Sequence, residues 1–285
     1  VHNRLTLWGH IWRHAVIWLA LCFTFFPIVW VVSASFDGTN TLVQQSIIPV
    51  VPTLDNYRML VREPRYPFFT WMWNSVKVSG TSAAISVFLC ALAAYAFSRF
   101  RFRGRRTGLF ALIMVQIFPQ VLAVVSIYLL LLNIGRYVPW LGLNTHAGLI
   151  MVYLGGAIGV NTWLMKGYFD TIPRELEESA LIDGASRFTT FTRIILPLAR
   201  PILVVVFILS FIGTYSDFIL ARVLLQTNDK LTLAVGMNLF IGDQYAQRWG
   251  IFSAGALIAS IPIVVIFLLL QKQLISGLTQ GSVKG

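Results

Sequence analysis

Six stretches of the chain stay apolar long enough to cross a hydrocarbon core, which takes about 20 residues as helix. They fall at residues 14–36, 76–98, 107–132, 147–166, 201–221 and 249–271, separated by charged or turn-rich segments. The pattern predicts an all-α integral membrane protein of six transmembrane helices in one domain over residues 1–285, with a long polar loop at 167–200. Local signals agree. Pro201 suits the first turn of the fifth helix, where its missing N–H has no partner to lose, and Asn133-Ile134-Gly135-Arg136 joins the third and fourth runs. The first run follows Arg4 and Arg13 but is too long for the apolar core of a signal peptide, and it lacks a small-residue cleavage pattern near Ser33, so it reads as a retained helix.

Composition and charge sharpen this map. Hydrophobic residues make up 57% of the chain and charged ones 12%, too few to coat a water-soluble globule. The net charge of +11 argues for topology and against nucleic acid, because the basic residues sit in short loops. Fourteen of the 22 lie in the amino terminus, the Arg99–Arg106 loop, the Lys166–Arg200 loop and the carboxyl tail, and seven lie in the three opposite loops. Basic residues resist translocation, so both termini are expected in the cytoplasm. The five arginines between Arg99 and Arg106 read as a retention signal that also touches anionic lipid. Trp30, Trp71, Trp73, Tyr137, Trp140, Tyr245 and Trp249 fall near the outer interface as anchors, with Trp71 and Trp73 left open as sugar-stacking platforms. Cys22 and Cys90 lie inside apolar runs and read as small apolar side chains.

The acidic residues concentrate in one place: Asp170, Glu175, Glu177, Glu178 and Asp183 fall within fourteen residues of the 167–200 loop. Pro173 and the carboxylates after it mark a helix start. Gly184 supplies a left-handed stop, and Ser186 caps a second short helix through Arg193, with Pro197 before the fifth span. Leu176, Ser179, Ala180 and Asp183 recur at helical spacing, placing small groups beside a rim of carboxylates. Such a face suits docking into a groove with basic edges, and equally an amphipathic helix lying on its own bundle.

Enzyme motifs are missing. The sequence has no phosphate loop, no metal-ligand spacing among His2, His10, His14 and His146, and no nucleophile elbow. No cofactor is expected in the chain. An ion-coupled secondary transporter would place ionisable groups near the membrane midplane, and the spans hold almost none. Asp217 is the one acidic candidate, toward the outer end of the fifth helix and best read as solvated at the interface. Gln116, Pro119, Gln120 and Asn161 fit a polar path or interhelical hydrogen bonds, and Gly155 with Gly159 forms a small-xxx-small pair.

Spacing then gives the docking helix a context. Glu178-Ser179-Ala180, three residues to Gly184, nine to Ile194, then Leu196-Pro197 resembles the cytoplasmic signature E-A-A, x3, G, x9, I-x-L-P of bacterial ATP-binding-cassette import permeases, with Ser179 as the one departure. Trp73–Val78, Gly142–His146, Gly167–Ile172, Leu233–Met237 and the ending Gly277–Gly285 extend the resemblance over nearly the whole chain, to the smaller permease subunit of maltose/maltodextrin importers. The resemblance implies the type I permease fold in the bacterial inner membrane. It also implies a larger permease partner, two ATPase subunits that carry ATP and Mg, and a periplasmic or extracellular sugar-binding protein. Loop 167–200 is then the coupling element, with Glu178, Ser179, Ala180, Asp183, Gly184, Ile194, Leu196 and Pro197 meeting the ATPase, and Ser282, Val283 and Lys284 of the tail reaching the same interface. By the same resemblance residues 222–248 are expected to project toward the binding protein as a mobile loop, and their composition fits a plain solvated loop equally. The sugar is contacted mainly by the larger permease, and a different oligosaccharide fits the same resemblance.

Overall fold

The computed structural model describes residues 7–41, 46–117, 119–242 and 248–280. In chain order the helices are α1 (Leu7–Ser35), α2 (Asp55–Arg62), α3 (Phe68–Arg99), α4 (Arg105–Ile117), α5 (Gln120–Tyr137), α6 (His146–Thr171), α7 (Glu175–Ile182), α8 (Arg187–Thr190), α9 (Leu196–Leu198), α10 (Arg200–Tyr215), α11 (Ile219–Leu224), α12 (Leu233–Asn238) and α13 (Trp249–Gln280). Four of them, α1, α3, α6 and α13, are each long and apolar enough to cross a membrane. Two bent pairs, α4 with α5 and the Arg187–Leu198 stretch with α10, raise the number to six when each counts as one span.

Two of the six apolar runs are not continuous helices. Pro119 lies between α4 and α5, where it cannot donate a backbone hydrogen bond. The fifth run stops at Tyr215, resumes as α11 at Ile219, and leaves α10 with 16 residues, about 24 Å of helix.

The chain divides into two compact units, residues 1–68 with 236–260 and residues 69–235 with 261–285. In the first, α1 exposes apolar side chains along most of its length, as lipid-facing helices do, and the loop after it is organised by Asp37. Its carboxylate accepts the N–H of Thr39 at 2.8 Å and of Val50 at 3.3 Å. Desolvation raises the Asp37 carboxyl, but these bonds outweigh it and hold the group below its ordinary value. The Asn56 amide clamps the same turn by donating to the Ser35 and Asp37 carbonyls at 3.0 and 2.8 Å.

The second unit holds the best-packed core. Ala94 and Tyr95 of α3, Phe169 of α6, and Phe191, Ile195 and Ala199 of the loop are all buried together. Small residues such as Ala94 and Ala199 permit close helix approach where lipid offers no hydrophobic drive. Outer residues 228–235 are tied to α3, contrary to the expectation of a mobile projection. Trp71 donates to the Asn228 carbonyl at 2.8 Å, Asn74 to the carbonyls of Asp229 and Leu231 at 2.8 and 3.0 Å, and the Leu233 N–H donates to Ser75 Oγ at 2.7 Å. Trp71 is accordingly fully buried and is neither an interface anchor nor a sugar platform, whereas Trp73, two residues on and facing away, is 64% exposed.

Candidate functional site

The 167–200 loop folds as a short helix, a sharp bend and a second helical segment. α7 begins after Pro173 with Glu175, Glu177 and Glu178 in its first turn, where the helix dipole favours carboxylates. It ends on Gly184 at φ +83°, a left-handed conformation that costs side-chain-bearing residues about 1–2 kcal/mol. The Gly184 and Ala185 N–H groups turn back to the carbonyls of Leu181 and Ala180 at 3.1 and 2.9 Å and close the helix end. Ser186 caps the next helix by accepting from the Thr189 N–H at 3.1 Å.

That second helix differs from a plain helix through Arg193: α8 has four residues and Phe191–Ile195 continue as a π-turn. Thr190 and Thr192 hydroxyls bond the Ser186 and Phe188 carbonyls at 3.1 and 2.8 Å, and the Ser186 carbonyl also keeps the Thr190 N–H at 2.9 Å. Beyond it, the axis turns by 75° into α10.

The signature residues separate into two groups. Glu178, Ser179, Asp183 and Gly184 are exposed and Ala180 is half-buried on the outer side of α7. Ile194 and Leu196 are half-buried at the root of the loop and Pro197 is exposed. Ser282, Val283 and Lys284 lie outside the described residues. Two exposed apolar side chains of the loop were missed by the sequence pattern: Ile182, between Glu178 and Asp183 in the chain, is 85% exposed, and Phe188, past the Gly184 bend, is 72% exposed. Their distance from any hydrophobic period hid them.

Glu177 corrects the picture of a uniform acidic rim. It is buried, ion-paired to the Arg99 guanidinium, and accepts the Tyr95 hydroxyl at 3.0 Å. Arg99 also donates to the Ile172 carbonyl at 2.9 Å, and Arg174 donates to the Ser98 carbonyl at 3.3 Å. Ser98 in turn donates to Asp170 at 2.6 Å, and Asp170 pairs with Lys166. The end of α3 is therefore bolted to the entry arm of the loop, residues 170–177. Arg105 donates to the Phe97 carbonyl at 2.6 Å, so Arg99 and Arg105 are structural, and only Arg101, Arg103 and Arg106 remain exposed as the expected retention and lipid-contact group. Arg99 and Glu177 stand 78 positions apart, and no local pattern announces such a pair.

Deeper in the same unit lies a cavity of about 320 Å³ between α3, α4, α6 and α10, mainly apolar in its lining but with several polar groups. Ser82 and Ser86 line it from α3, Asn161 from α6, Ser210 and Thr214 from α10, and Asp217 from the break after α10. Asn161 donates to Ser210 Oγ at 3.0 Å and to Ser86 Oγ at 3.4 Å. Gln116 bridges α4 to α6, donating to the Gly156 carbonyl at 2.6 Å and accepting the Val160 N–H at 3.2 Å. Asp217 is not simply solvated: its Oδ1 accepts the Tyr153 hydroxyl at 2.9 Å and the Ala221 N–H at 3.0 Å, starting α11. Pro119 borders an adjacent, mainly apolar cavity, and nothing is described of the Gln120 side chain.

A family model for the binding-protein-dependent transport system inner membrane component matches residues 86–280, covering both the loop and most of the cavity lining. The chain belongs to that family. This inner-membrane component is 44% identical over 283 residues to the maltose/maltodextrin transport system permease protein MalG of Vibrio vulnificus (strain YJ016), covering 95% of each chain. It is 41% identical to the protein of the same name from Escherichia coli (strain K12), again over 95% of both. A chain from a bacterial ABC transporter involved in the import of the acidic polysaccharide alginate superposes with a TM-score of 0.78 at 22% identity, over 95% of this chain and 98% of the other. At that identity the likeness establishes the fold, the type I permease arrangement of a multi-pass membrane protein. The permease therefore has a known architecture in which the loop and the cavity can be placed.

Proposed function

We propose that this permease is the smaller membrane subunit of an ATP-driven maltose/maltodextrin importer, coupled through α7 and α8 to an ATPase carried on another polypeptide. The carrying observation is the form of the loop: Ile182 and Phe188 exposed on either side of the Gly184 bend, with the exposed carboxylates Glu178 and Asp183 before it, on a stem bolted to α3 through Glu177 and Arg99. A tip seated in a basic-edged cleft passes its displacement to α3 and, through the 75° bend, to α10. Glu178 pairs with a basic group of the ATPase, and Asp183, Ser179 and Ala180 allow close seating, with Gly184 setting the bend. Ile194, Leu196 and Pro197 hold the root. ATP and Mg act on two ATPase subunits, a larger permease completes the pathway, and a binding protein delivers the sugar. The basic loops put both termini and the docking loop in the cytoplasm. The maltodextrin assignment draws on the relatives at 44% and 41% identity.

The test uses the complete transporter in proteoliposomes. Glu178→Lys places a like charge against the cleft, and uptake is expected to fall about tenfold or more, the effect of roughly 1.4 kcal/mol or more in docking. Unchanged uptake in Glu178→Lys, or sugar transport by this polypeptide reconstituted alone, overturns the coupling reading.

A further inference from the structure

The two arms of the docking loop are held to α3 by different means. The entry arm, residues 170–177, is tied by polar bonds to Ser98 and Arg99. Among the described residues no hydrogen bond or ion pair joins the exit arm, residues 187–199, to α3, and what holds it there is apolar: Phe191, Ile195 and Ala199 share one buried core with α3. Tyr95 is the one large side chain that α3 buries in that core, the others being Cys90, Ala91 and Ala94. Its ring centroid lies 4.7 Å from that of Phe191 and, edge-on, 5.6 Å from that of Phe100. Phe100 is in turn covered by the Arg187 guanidinium at 5.5 Å. Tilted ring pairs and a cation over a ring face are both attractive arrangements, so these rings carry the contact between α3 and the start of the exit arm.

What fixes the Tyr95 ring is its far end. The residue is 6% exposed, and its hydroxyl donates to Glu177 Oε2 at 3.0 Å. A hydrogen bond to an ionised acceptor is about twice as strong as a neutral one, and Arg99 holds the same carboxylate through its other oxygen. A ring pinned at Cα and at the hydroxyl cannot turn away from Phe191 without giving up that bond. Gly184 stands between the two arms at φ +83°, and nothing packs where its Cβ would be, so the bend is closed by backbone bonds alone. Tyr95 spans this bend: its tip meets α7 and its face meets the exit arm.

We propose that Tyr95 is a positioning residue for coupling, tying the exit arm of the docking loop to α3 and to α7 so that both arms move with α3 as one body. The assignment rests on the ATPase-coupled importer reading above and adds the residue through which displacement of the second arm reaches α3. With Tyr95 removed, the entry arm stays on α3 through Arg99 and Ser98, and the exit arm follows α10 alone.

The experiment uses the full transporter with Tyr95→Leu, Tyr95→Phe, Phe191→Leu and the double variant Tyr95→Leu/Phe191→Leu. Two quantities are read: amide hydrogen exchange along the loop in lipid nanodiscs, and maltotriose taken up per ATP hydrolysed in proteoliposomes. Tyr95→Leu loses both ring contacts and is expected to speed exchange over residues 184–195 about tenfold, with less sugar moved per ATP. Tyr95→Phe keeps the ring and loses only the hydroxyl, so its exchange is expected to rise about threefold. Residues 170–177 are expected to keep the wild-type rate in both. The double variant is expected to fall short of the product of the single effects, because both substitutions remove one shared contact. Where Tyr95→Leu does not assemble, Tyr95→Phe and Phe191→Leu read the same tie from either side. Wild-type exchange over 184–195 in the Tyr95 variants, equal acceleration of both arms, a double variant at the full product, or unchanged sugar per ATP would each overturn the assignment. If the unsubstituted transporter takes up no maltotriose with ATP, the importer reading falls and the coupling role with it, whereas normal uptake with unaltered exchange removes the role of Tyr95 alone.

Discussion

Two glycines four positions apart on α6 behave as different residues once their surroundings are compared. A Cβ on Gly159 would run into the Leu112 carbonyl and lie 2.9 Å from the Gln116 amide, whereas a Cβ on Gly155 meets nothing within 4 Å. Gly159 therefore lets α4 and α6 touch, and the bonds from Gln116 to Gly156 and Val160 depend on that proximity. Gly159→Ala is expected to overpack the contact, at about 1–3 kcal/mol, and to lower the yield of monodisperse protein in detergent. Gly155→Ala is expected to match wild type, and equal losses in both variants would count against this packing. The sequence shows the small-xxx-small pair but not which member is in contact, because the spacing is symmetric and the neighbour, α4, is fixed only in three dimensions. Asp217 taught a related lesson. Its polarity is plain in the sequence, while its bond to Tyr153, 64 residues away, is not.

Among the elements, α7 carries two adjacent glutamates with opposite fates. One step along a helix turns a side chain by about 100°, which sends Glu178 to the surface and Glu177 inward to Arg99 and Tyr95. Removing one partner of a buried ion pair strands the other charge, at about 3–5 kcal/mol, whereas replacing both with apolar groups is often neutral. Glu177→Ala is expected to lower the thermal midpoint in detergent and to uncouple ATP hydrolysis from uptake, and Arg99→Met with Glu177→Leu to recover most of the thermal midpoint. A double variant no more stable than the single one would show that the pair is not the joint. The helix, glycine, helix order was legible from Pro173, Gly184 and Ser186, each a local stereochemical signal. The π-turn at Phe191–Ile195 was not, since no local residue signal in that stretch sets it apart from an ordinary helix. Breaks at Pro119 and after Tyr215 went unread as well, because the runs remain apolar on average although Gln116, Pro119 and Gln120 mark the first and Ser216 and Asp217 the second.

For the whole molecule, hydropathy alone located all the long apolar helices, because a lipid-facing helix has to declare itself in sequence. What it left open is the inner organisation of the second unit, which depends on hydrogen bonds between positions far apart. The orientation inferred from basic residues has a direct test. Tyr137 and Phe188 are 86% and 72% exposed and belong to loops of opposite expected sidedness. In intact cells expressing a cysteine-free background, a membrane-impermeant maleimide is expected to label Tyr137→Cys at once and Phe188→Cys only after permeabilisation. The reverse order would invert the topology and place the docking loop away from any cytosolic ATPase.

The bend at Gly184 has one more implication. No neighbouring atom lies within 4 Å of where its Cβ would stand, and the turn is closed by its own backbone through Leu181 and Ala180. The knuckle is thus preorganised: its shape exists before any companion arrives, and little ordering entropy is lost on contact. On the proposed coupling, affinity at this joint would be set by surface fit and charge, with the stiffness of the bend already in place.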